Sequence, residues 1–167
     1  MAAAATGGRR RAPRRRRRDA RSRPVIAGDL GLLDTSTLIL LPRLRDPSLL
    51  PERPLISAIT LAELSVGPLV AASEAGRAAR LAHLQQAETD FDPLPFDADA
   101  ARAFGRVAAS LRRSGRKASA QVYDAMIAAI AIANELPLYT CNPDDFASFD
   151  GLTVIPVAHP DRPPLTG

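Results

Sequence analysis

The chain has 167 residues, which suits one domain of ordinary size together with a tail. Apolar residues make up 46% of it and can bury a sizeable core, but aromatic residues make up only 4% and tryptophan is absent. The core must therefore be built from Leu, Ile, Val and Ala. The single cysteine excludes an intrachain disulfide and a cysteine-based zinc cluster, and we expect a reducing, cytoplasmic setting.

Positive charge is concentrated in residues 1–23, which contain ten arginines and one acid. Because the whole chain carries +4 and this tail carries +9, residues 24–167 carry a net −5. We interpret residues 1–24 as a disordered arm, since like charges repel and nothing there can pack. The arm either binds nucleic acid through phosphates or reflects a gene start placed too far upstream, with an organellar transit peptide as the remaining alternative. No apolar run suits a signal peptide or a membrane span.

The predicted elements alternate between short apolar strands and helices. In chain order, the strand candidates are residues 31–33 (entering from 25–26), 55–59, 91–96, 138–140 and 153–155. The helix candidates are residues 37–41, 60–66, 73–88, 97–113 and 120–135, with a proline-punctuated loop at 42–54 and a loop or helical turn at 142–146. The helix at 73–88 is predicted to be amphipathic, with Ala78, Leu81, Ala82 and Leu84 on one face.

Such alternation is typical of an α/β domain whose parallel sheet is covered on both faces. Ligands of these sheets collect at the carboxyl ends of the strands. Asp34 and Asp145 each follow the end of a predicted strand, so we expect two carboxylates at one edge of the sheet.

Asp34 and Glu63 each have a structural interpretation when considered alone. Asp34 is the only charged residue in residues 30–41, LGLLDTSTLILL, and Asp is common at a helix N-cap. Glu63 stands three residues after Thr60, which is the spacing of a capping box. For Glu63 in isolation, the capping box is the favoured interpretation.

Asp124 is harder to explain structurally. It lies in residues 122–133, VYDAMIAAIAIA, a helix that is apolar on every side and is predicted to be largely buried. An ionised carboxylate there costs several kcal/mol unless it is paired or binds a metal. We favour a catalytic or metal-binding role, and a salt bridge with Arg116 or Lys117 is the alternative.

Asp144 and Asp145 lie in residues 140–146, TCNPDDF, which alone are typical of a turn and a helix start. Three or four carboxylates without a His or Cys cluster suit a hard, oxygen-binding cation such as Mg²⁺ or Mn²⁺. A divalent cation would also relieve the repulsion between like charges in one cleft. The other residue types that could bind zinc or act as nucleophiles are interpreted as packed or solvated: His83, His159 and Cys141.

These residues resemble the PIN-domain family, and within it the VapC-type toxins of type II toxin–antitoxin systems. The matching blocks are LDTS at 33–36, TLAEL at 60–64, YDAMIAAIA at 123–131 and LYTCNPDDF at 138–146, in the family's order and each with its acid. The resemblance implies a three-layer α/β/α fold with a central parallel sheet over residues 25–160, followed by a tail at 161–167.

The resemblance also implies a site of metal ligands that are at the same time the catalytic residues: Asp34, Glu63, Asp124 and Asp145. They would hold one or two Mg²⁺ ions, with Mn²⁺ as the alternative metal and Asp144 as the alternative fourth acid. Many family members carry an acid where this chain has Asn142. Polar surroundings for the ligands are implied at Ser36, Thr140 and Asn142.

The implied activity is endoribonucleolytic hydrolysis of RNA phosphodiester bonds by metal-activated water. The implied partners are a second copy of the chain and a VapB-type antitoxin over the active-site groove. Basic residues must attract the RNA, and the candidates lie just ahead of Asp124: Arg112, Arg113, Arg116 and Lys117. A solvated loop is their alternative. The competing class is a non-catalytic nucleic-acid-binding module whose acids are caps and salt bridges, whereas a phosphatase is disfavoured because no second Asp stands two residues after Asp34.

Overall fold

The computed structural model describes residues 29–113 and 121–162, which contain a four-stranded parallel sheet and six α-helices. The predictions for the arginine-rich arm, for Arg116 and Lys117, and for residues 163–167 lie outside these ranges. The strands are β1 (Leu30–Leu33), β2 (Arg53–Leu55), β3 (Leu138–Thr140) and β4 (Val154–Pro156). The helices are α1 (Thr35–Leu40), α2 (Ala58–Val66), α3 (Glu74–Asp90), α4 (Ala98–Arg113), α5 (Val122–Ala133) and α6 (Pro143–Phe146).

The sheet has the order β2-β1-β3-β4, and all its pairings are parallel. Successive side chains of a strand point to opposite faces, and so Leu32 and Leu33 enter different cores. Leu32 packs with Leu138 in the core formed with α4 and α5, whereas Leu33 packs with Tyr139 and Val157 in the core that α1 covers. The sheet is therefore covered on both faces, and the predicted α/β fold is confirmed.

Helix α5 lies in the larger core and packs mainly against α4. Its apolar sequence predicts this burial, and half of its 12 residues are buried: Ala125, Ile127, Ala128, Ala129, Ile130 and Ala131. Asp124, in the first turn, is only half-buried. Among the described residues, no helix combines the length and the apolar character that crossing a membrane requires.

The strand expected at residues 55–59 is wrong beyond Leu55, because α2 begins at Ala58 rather than at Thr60. The N-cap is Ser57, whose Oγ accepts a hydrogen bond from the amide of Thr60 at 3.0 Å. The capping box between Thr60 and Glu63 is therefore wrong as well. Serine is as good an N-cap as threonine, and the earlier start leaves Glu63 in the second turn, where it can contact another element.

Two further boundaries differ from the predictions. Residues 91–96 form no strand, only an isolated bridge between Ser57 and Leu94. Pro93 and Pro95 have no amide hydrogen to donate, which prevents a longer ladder. Helix α1 begins at Thr35, two residues earlier than predicted, because its cap directly precedes it.

Helix α3 forms close to its predicted bounds, with Ser73 as its N-cap, and packs mainly against α2. Its apolar face is not buried as a stripe. Ala78, Leu81 and Ala82 are exposed, Leu84 is half-buried, and Ala87 is buried near the helix end. The periodicity predicted the helix correctly, but the neighbouring elements cover only its last turns.

Candidate active site

Asp34 lies at the carboxyl edge of the sheet, directly after β1 and beside the end of β3. Its amide donates to the carbonyl of Tyr139 at 3.2 Å, and its side chain is buried, with 5% of the residue exposed. Carboxylate oxygen Oδ1 accepts from the amide of Thr37 at 2.8 Å, which makes Asp34 the N-cap of α1. The cap uses one lone pair of one oxygen, so capping and a functional role are compatible.

The second carboxylate oxygen of Asp34, Oδ2, accepts two hydroxyl hydrogen bonds. Ser36 donates at 2.7 Å and Thr140 donates at 2.9 Å. Thr140 Oγ1 in turn accepts from the amide of Asn142 at 2.9 Å, which orients the hydroxyl toward Asp34. The three residues expected to surround the acids therefore form one chain of hydrogen bonds that fixes the orientation of Asp34.

The sequence analysis missed Thr35 and Thr37, the neighbours of Ser36. Thr37 is fully buried, and its Oγ1 accepts from the amide of Cys141 at 2.9 Å, which ties α1 to the end of β3. Thr35 contacts a different acid. A run of three hydroxyl residues directly after the one charge in an apolar segment was the signal that could have indicated both.

Glu63 reaches the same edge from α2. The hydroxyl of Thr35 donates a short hydrogen bond to its Oε2, so that Thr35 connects this acid with the junction between β1 and α1. Burial raises the pKa of Glu63; the hydrogen bond from Thr35 lowers it in part, and the negative charge of Asp34 raises it. Glu63 therefore lies close enough to Asp34 for the two charges to interact.

The negative charges of the other three predicted acids all act on Asp124. Burial in the first turn of α5 raises its pKa from 3.8 to about 6, together with the negative charges of Asp145, Glu63 and Asp34. Residues separated by up to 111 positions in the sequence thus act on one carboxyl group. Desolvation combined with several like charges is the kind of perturbation found at functional sites.

The donor set of the four acids suits a hard cation, because it consists of carboxylate oxygens only. Among the residues that the structure describes, no group of three or more His, Cys, Asp or Glu side chains is arranged to hold one metal ion. Mg²⁺ is often bound through one or two carboxylates, with waters completing its shell. A pair such as Asp34 and Asp124 therefore suffices chemically, and the assignment of all four acids as ligands stays a prediction.

Sequence comparison places these acids within a known domain. A model of the PIN domain matches residues 32–152, which include Asp34, Glu63, Asp124 and Asp145. The chain belongs to the PIN-domain family. This PIN domain is 42% identical to ribonuclease VapC5 of Mycobacterium tuberculosis (strain ATCC 25618 / H37Rv) over 129 residues, which are 76% of this chain and 93% of the relative.

Solved structures resemble the PIN domain along most of their length. A crystal structure of VapBC-5 from Mycobacterium tuberculosis has a TM-score of 0.67 and 41% identity, over 77% of this chain and 99% of the other. A structure of DNA-bound VapBC from Salmonella typhimurium has a TM-score of 0.60 and 27% identity, over 77% of this chain and 97% of the other.

The basic residues expected to contact RNA are partly described. Arg113 forms an exposed salt bridge with Asp150, so its charge is offset locally. Arg112 is exposed at the end of α4. Arg116 and Lys117 lie outside the described residues of the PIN domain.

Another basic residue, Arg162, lies against the turn after β3, which carries Asn142 and Asp145. Its Nη1 donates to Oδ1 of Asn142 at 3.0 Å. The sequence analysis assigned residues 161–167 to a tail and therefore missed this contact. No local motif indicates it, because the two residues are 20 positions apart and meet only through the packing of the segment after β4.

Proposed function

We propose that this PIN-domain protein is a metal-dependent endoribonuclease and the toxin of a toxin–antitoxin pair. The observation that carries the proposal is that the other three acids, Asp145, Glu63 and Asp34, all act electrostatically on Asp124. The similarity to ribonuclease VapC5 supports the activity, and the similarity to VapBC complexes supports a VapB-type antitoxin as the partner.

Asp34 and Asp124 would hold a Mg²⁺ or Mn²⁺ ion, and Glu63 and Asp145 would complete the site or orient the attacking water. When bound, such a cation supplies Lewis-acid stabilisation of phosphoryl charge and a more acidic water. Ser36 keeps Asp34 in one orientation through its hydrogen bond to Oδ2. Without a cation, burial and the neighbouring acids raise the pKa of Asp124 to about 6, and a bound cation would relieve this repulsion.

The partner and location proposals follow from the family. A VapB-type antitoxin would cover the groove at the acids and keep RNA out, and two copies of the chain would form a homodimer. We propose a cytoplasmic location, which agrees with a chain whose single cysteine, Cys141, is free and buried.

The competing interpretation, a binding module with structural acids, explains less of the geometry. The capping box that would have used Glu63 is not formed. In the described part of the chain, neither Glu63 nor Asp124 forms a salt bridge. Both acids instead have pKa values raised mainly by burial, which destabilises a purely structural carboxylate.

The test is cleavage of a labelled single-stranded RNA by the purified full chain with Mg²⁺, with Mn²⁺ or with EDTA. We expect cleavage with either cation and none with EDTA. The Asp124→Asn variant should lose about 100-fold or more in rate, and the control Asp92→Asn, which changes an exposed carboxylate between α3 and α4, should retain the wild-type rate. Full activity of Asp124→Asn would refute the proposed role of Asp124, and cleavage in EDTA would refute the proposed dependence on a metal ion.

A further inference from the structure

A cavity of about 290 Å³ opens next to the acids, between the turn that joins β3 to α6 and the segment after β4. Asn142, Asp144 and Asp145 line it from the turn, and His159 and Arg162 line it from the segment. One wall of the cavity therefore carries the fourth acid of the candidate active site, and the opposite wall carries a guanidinium group.

The segment at residues 157–162 is held in place by tertiary contacts. Its backbone also turns back on itself, since the amide of Arg162 donates to the carbonyl of His159 at 3.3 Å. A side chain that extends from an already ordered backbone loses less conformational entropy when it binds a ligand. The tertiary contacts that hold this segment are the hydrogen bond from the amide of Val157 to the carbonyl of Thr140 (2.8 Å), the hydrogen bond from Arg45 to the carbonyl of Pro160 (3.1 Å), and the salt bridge between Arg43 and Asp161.

Arg162 forms no salt bridge with a carboxylate among the described residues. Its guanidinium is held by the neutral amide oxygen of Asn142. Four other arginines do pair with acids: Arg43, Arg77, Arg102 and Arg113. Arg162 is therefore an oriented cation with donors to spare, because one hydrogen bond uses one of its five N–H groups.

The charge of Arg162 also reaches toward the acid site. Cys141 lines the cavity; burial raises the pKa of its thiol, and a hydrogen bond with Thr37 lowers it in part. The charge of Asp34 raises that pKa further, and the charge of Arg162 opposes the rise. Hydrogen bonds give the position directly: Arg162 donates to the side chain of Asn142, whose amide donates to Thr140, which in turn donates to Asp34. The guanidinium therefore lies on the same edge of the sheet as Asp34.

We propose that Arg162 binds a phosphate of the RNA strand next to the phosphate that is cleaved, and that His159 lines the same subsite. The inference rests on the proposed function. An edge of four carboxylates repels a polyanion, so that a neighbouring cation is needed to hold the strand there. A guanidinium suits this role because its planar fork can donate two parallel hydrogen bonds to phosphate oxygens.

The experiment compares the RNA affinity of full-length variants in the Asp124→Asn background, which keeps the RNA intact. The probe is a fluorescein-labelled single-stranded RNA oligonucleotide, and anisotropy is measured over a range of salt concentrations. Arg162→Ala is the test, and Arg162→Lys keeps the charge without the planar fork. Arg102→Ala is the matched control, because it removes the same charge from an exposed position on α4.

We expect Arg162→Ala to weaken binding about 10-fold and to reduce the salt slope by about 0.7, the value for one phosphate contact on a single strand. Arg162→Lys should keep the slope and lose about 3-fold in affinity because it loses the bidentate geometry. Arg102→Ala should change neither quantity. The proposal is overturned if Arg162→Ala binds RNA with unchanged affinity and salt slope, or if Arg102→Ala weakens binding equally. The guanidinium would then serve only its hydrogen bond to Asn142.

Cleavage by the chain with its native Asp124 separates this proposal from the proposed function. If that chain cleaves RNA and Arg162→Ala has the same KM, the function stands and the subsite is wrong. If it does not cleave RNA but Arg162→Ala still lowers affinity and slope, the subsite stands as an RNA contact and the nuclease function is wrong.

Discussion

The crowding of carboxylates around Asp124 makes a specific prediction about stability. We expect Asp124→Asn to raise the melting temperature of the chain at pH 7 in EDTA, and to lower the rate of RNA cleavage in Mg²⁺ by about 100-fold or more. The amide has nearly the shape of the carboxylate but carries no charge, so the substitution removes desolvation and repulsion at one position and leaves the packing of α5 intact. A site that is strained for function gains stability when its charge is removed.

The magnitude follows from the pKa. A rise from 3.8 to about 6 corresponds to at most about 3 kcal/mol. Because the side chain is only half-buried and solvent screens its charge, we expect about 1 kcal/mol. In a domain of this size, a gain of about 1 kcal/mol raises the melting temperature by about 4 °C.

The pH dependence of the effect has a definite sign. The folded-state pKa of Asp124 lies above the unfolded value, so the proton on Asp124 stabilises the native fold below about pH 4, and this stabilisation is lost as the pH rises through about 6. The difference in melting temperature between Asp124→Asn and the wild type should therefore be small at pH 4 and fully developed at pH 7.

Thermal melts followed by circular dichroism between pH 4 and pH 8 measure this difference, with the exposed Asp92→Asn as the control. A variant that melts at or below the wild-type temperature at pH 7 would refute the reasoning, because it would mean that Asp124 has a stabilising ion partner. In Mg²⁺ the difference in melting temperature between Asp124→Asn and the wild type should become smaller or change sign, because a cation stabilises only the fold that binds it.

Three further outcomes follow from the structure. Thr140→Val removes the donor to Asp34 and the acceptor for the amide of Asn142. It should lower the free energy of unfolding by about 1–3 kcal/mol in urea melts and reduce the rate of RNA cleavage. Thr140→Ser keeps the hydroxyl and should retain most of the stability and most of the cleavage rate. Gly31→Ala should destabilise by about 1–3 kcal/mol, because its Cβ would clash with ring atom Cε2 of Tyr139 and approach Cδ2 to 2.7 Å. An unchanged urea midpoint would contradict that contact. Gly105→Ala, where a Cβ meets nothing within 4 Å inside α4, should instead stabilise by about 0.5–1 kcal/mol.

The outcomes at α2 and α3 show where sequence patterns were insufficient. Thr60 and Glu63 have the spacing of a capping box, but serine is also a common N-cap, and Ser57 caps the helix here. The residues on either side of this start, Ile56 and Ile59, are both buried. Which serine or threonine begins the helix thus depends on packing against other elements. In α3 the apolar stripe predicted the helix, but its burial depended on which neighbours the fold supplies.

Two of the acids, Asp34 and Asp124, could be singled out individually because each breaks a local rule, whereas Glu63 and Asp145 were predicted as ligands only from the resemblance to the PIN-domain family. Asp34 stands alone in an apolar segment, and Asp124 lies in a helix with no polar face. A common edge was expected for Asp34 and Asp145, because the ends of parallel strands share one edge of the sheet. The hydrogen bonds of Thr35 and Thr37 were not predicted, since the direction of a hydroxyl is decided by the elements that pack against it.

The sequence alone determined the alternation of apolar strands and helices and the burial of α5, and it singled out Asp34 and Asp124, because periodicity and isolated charges are local properties. Only the tertiary structure decided that Glu63 meets Thr35 instead of capping its own helix, and that Arg162 lies against Asn142. These contacts join residues that no short-range pattern relates. They exist because the folded sheet brings its strand ends together and because a buried polar group is costly unless it finds a partner.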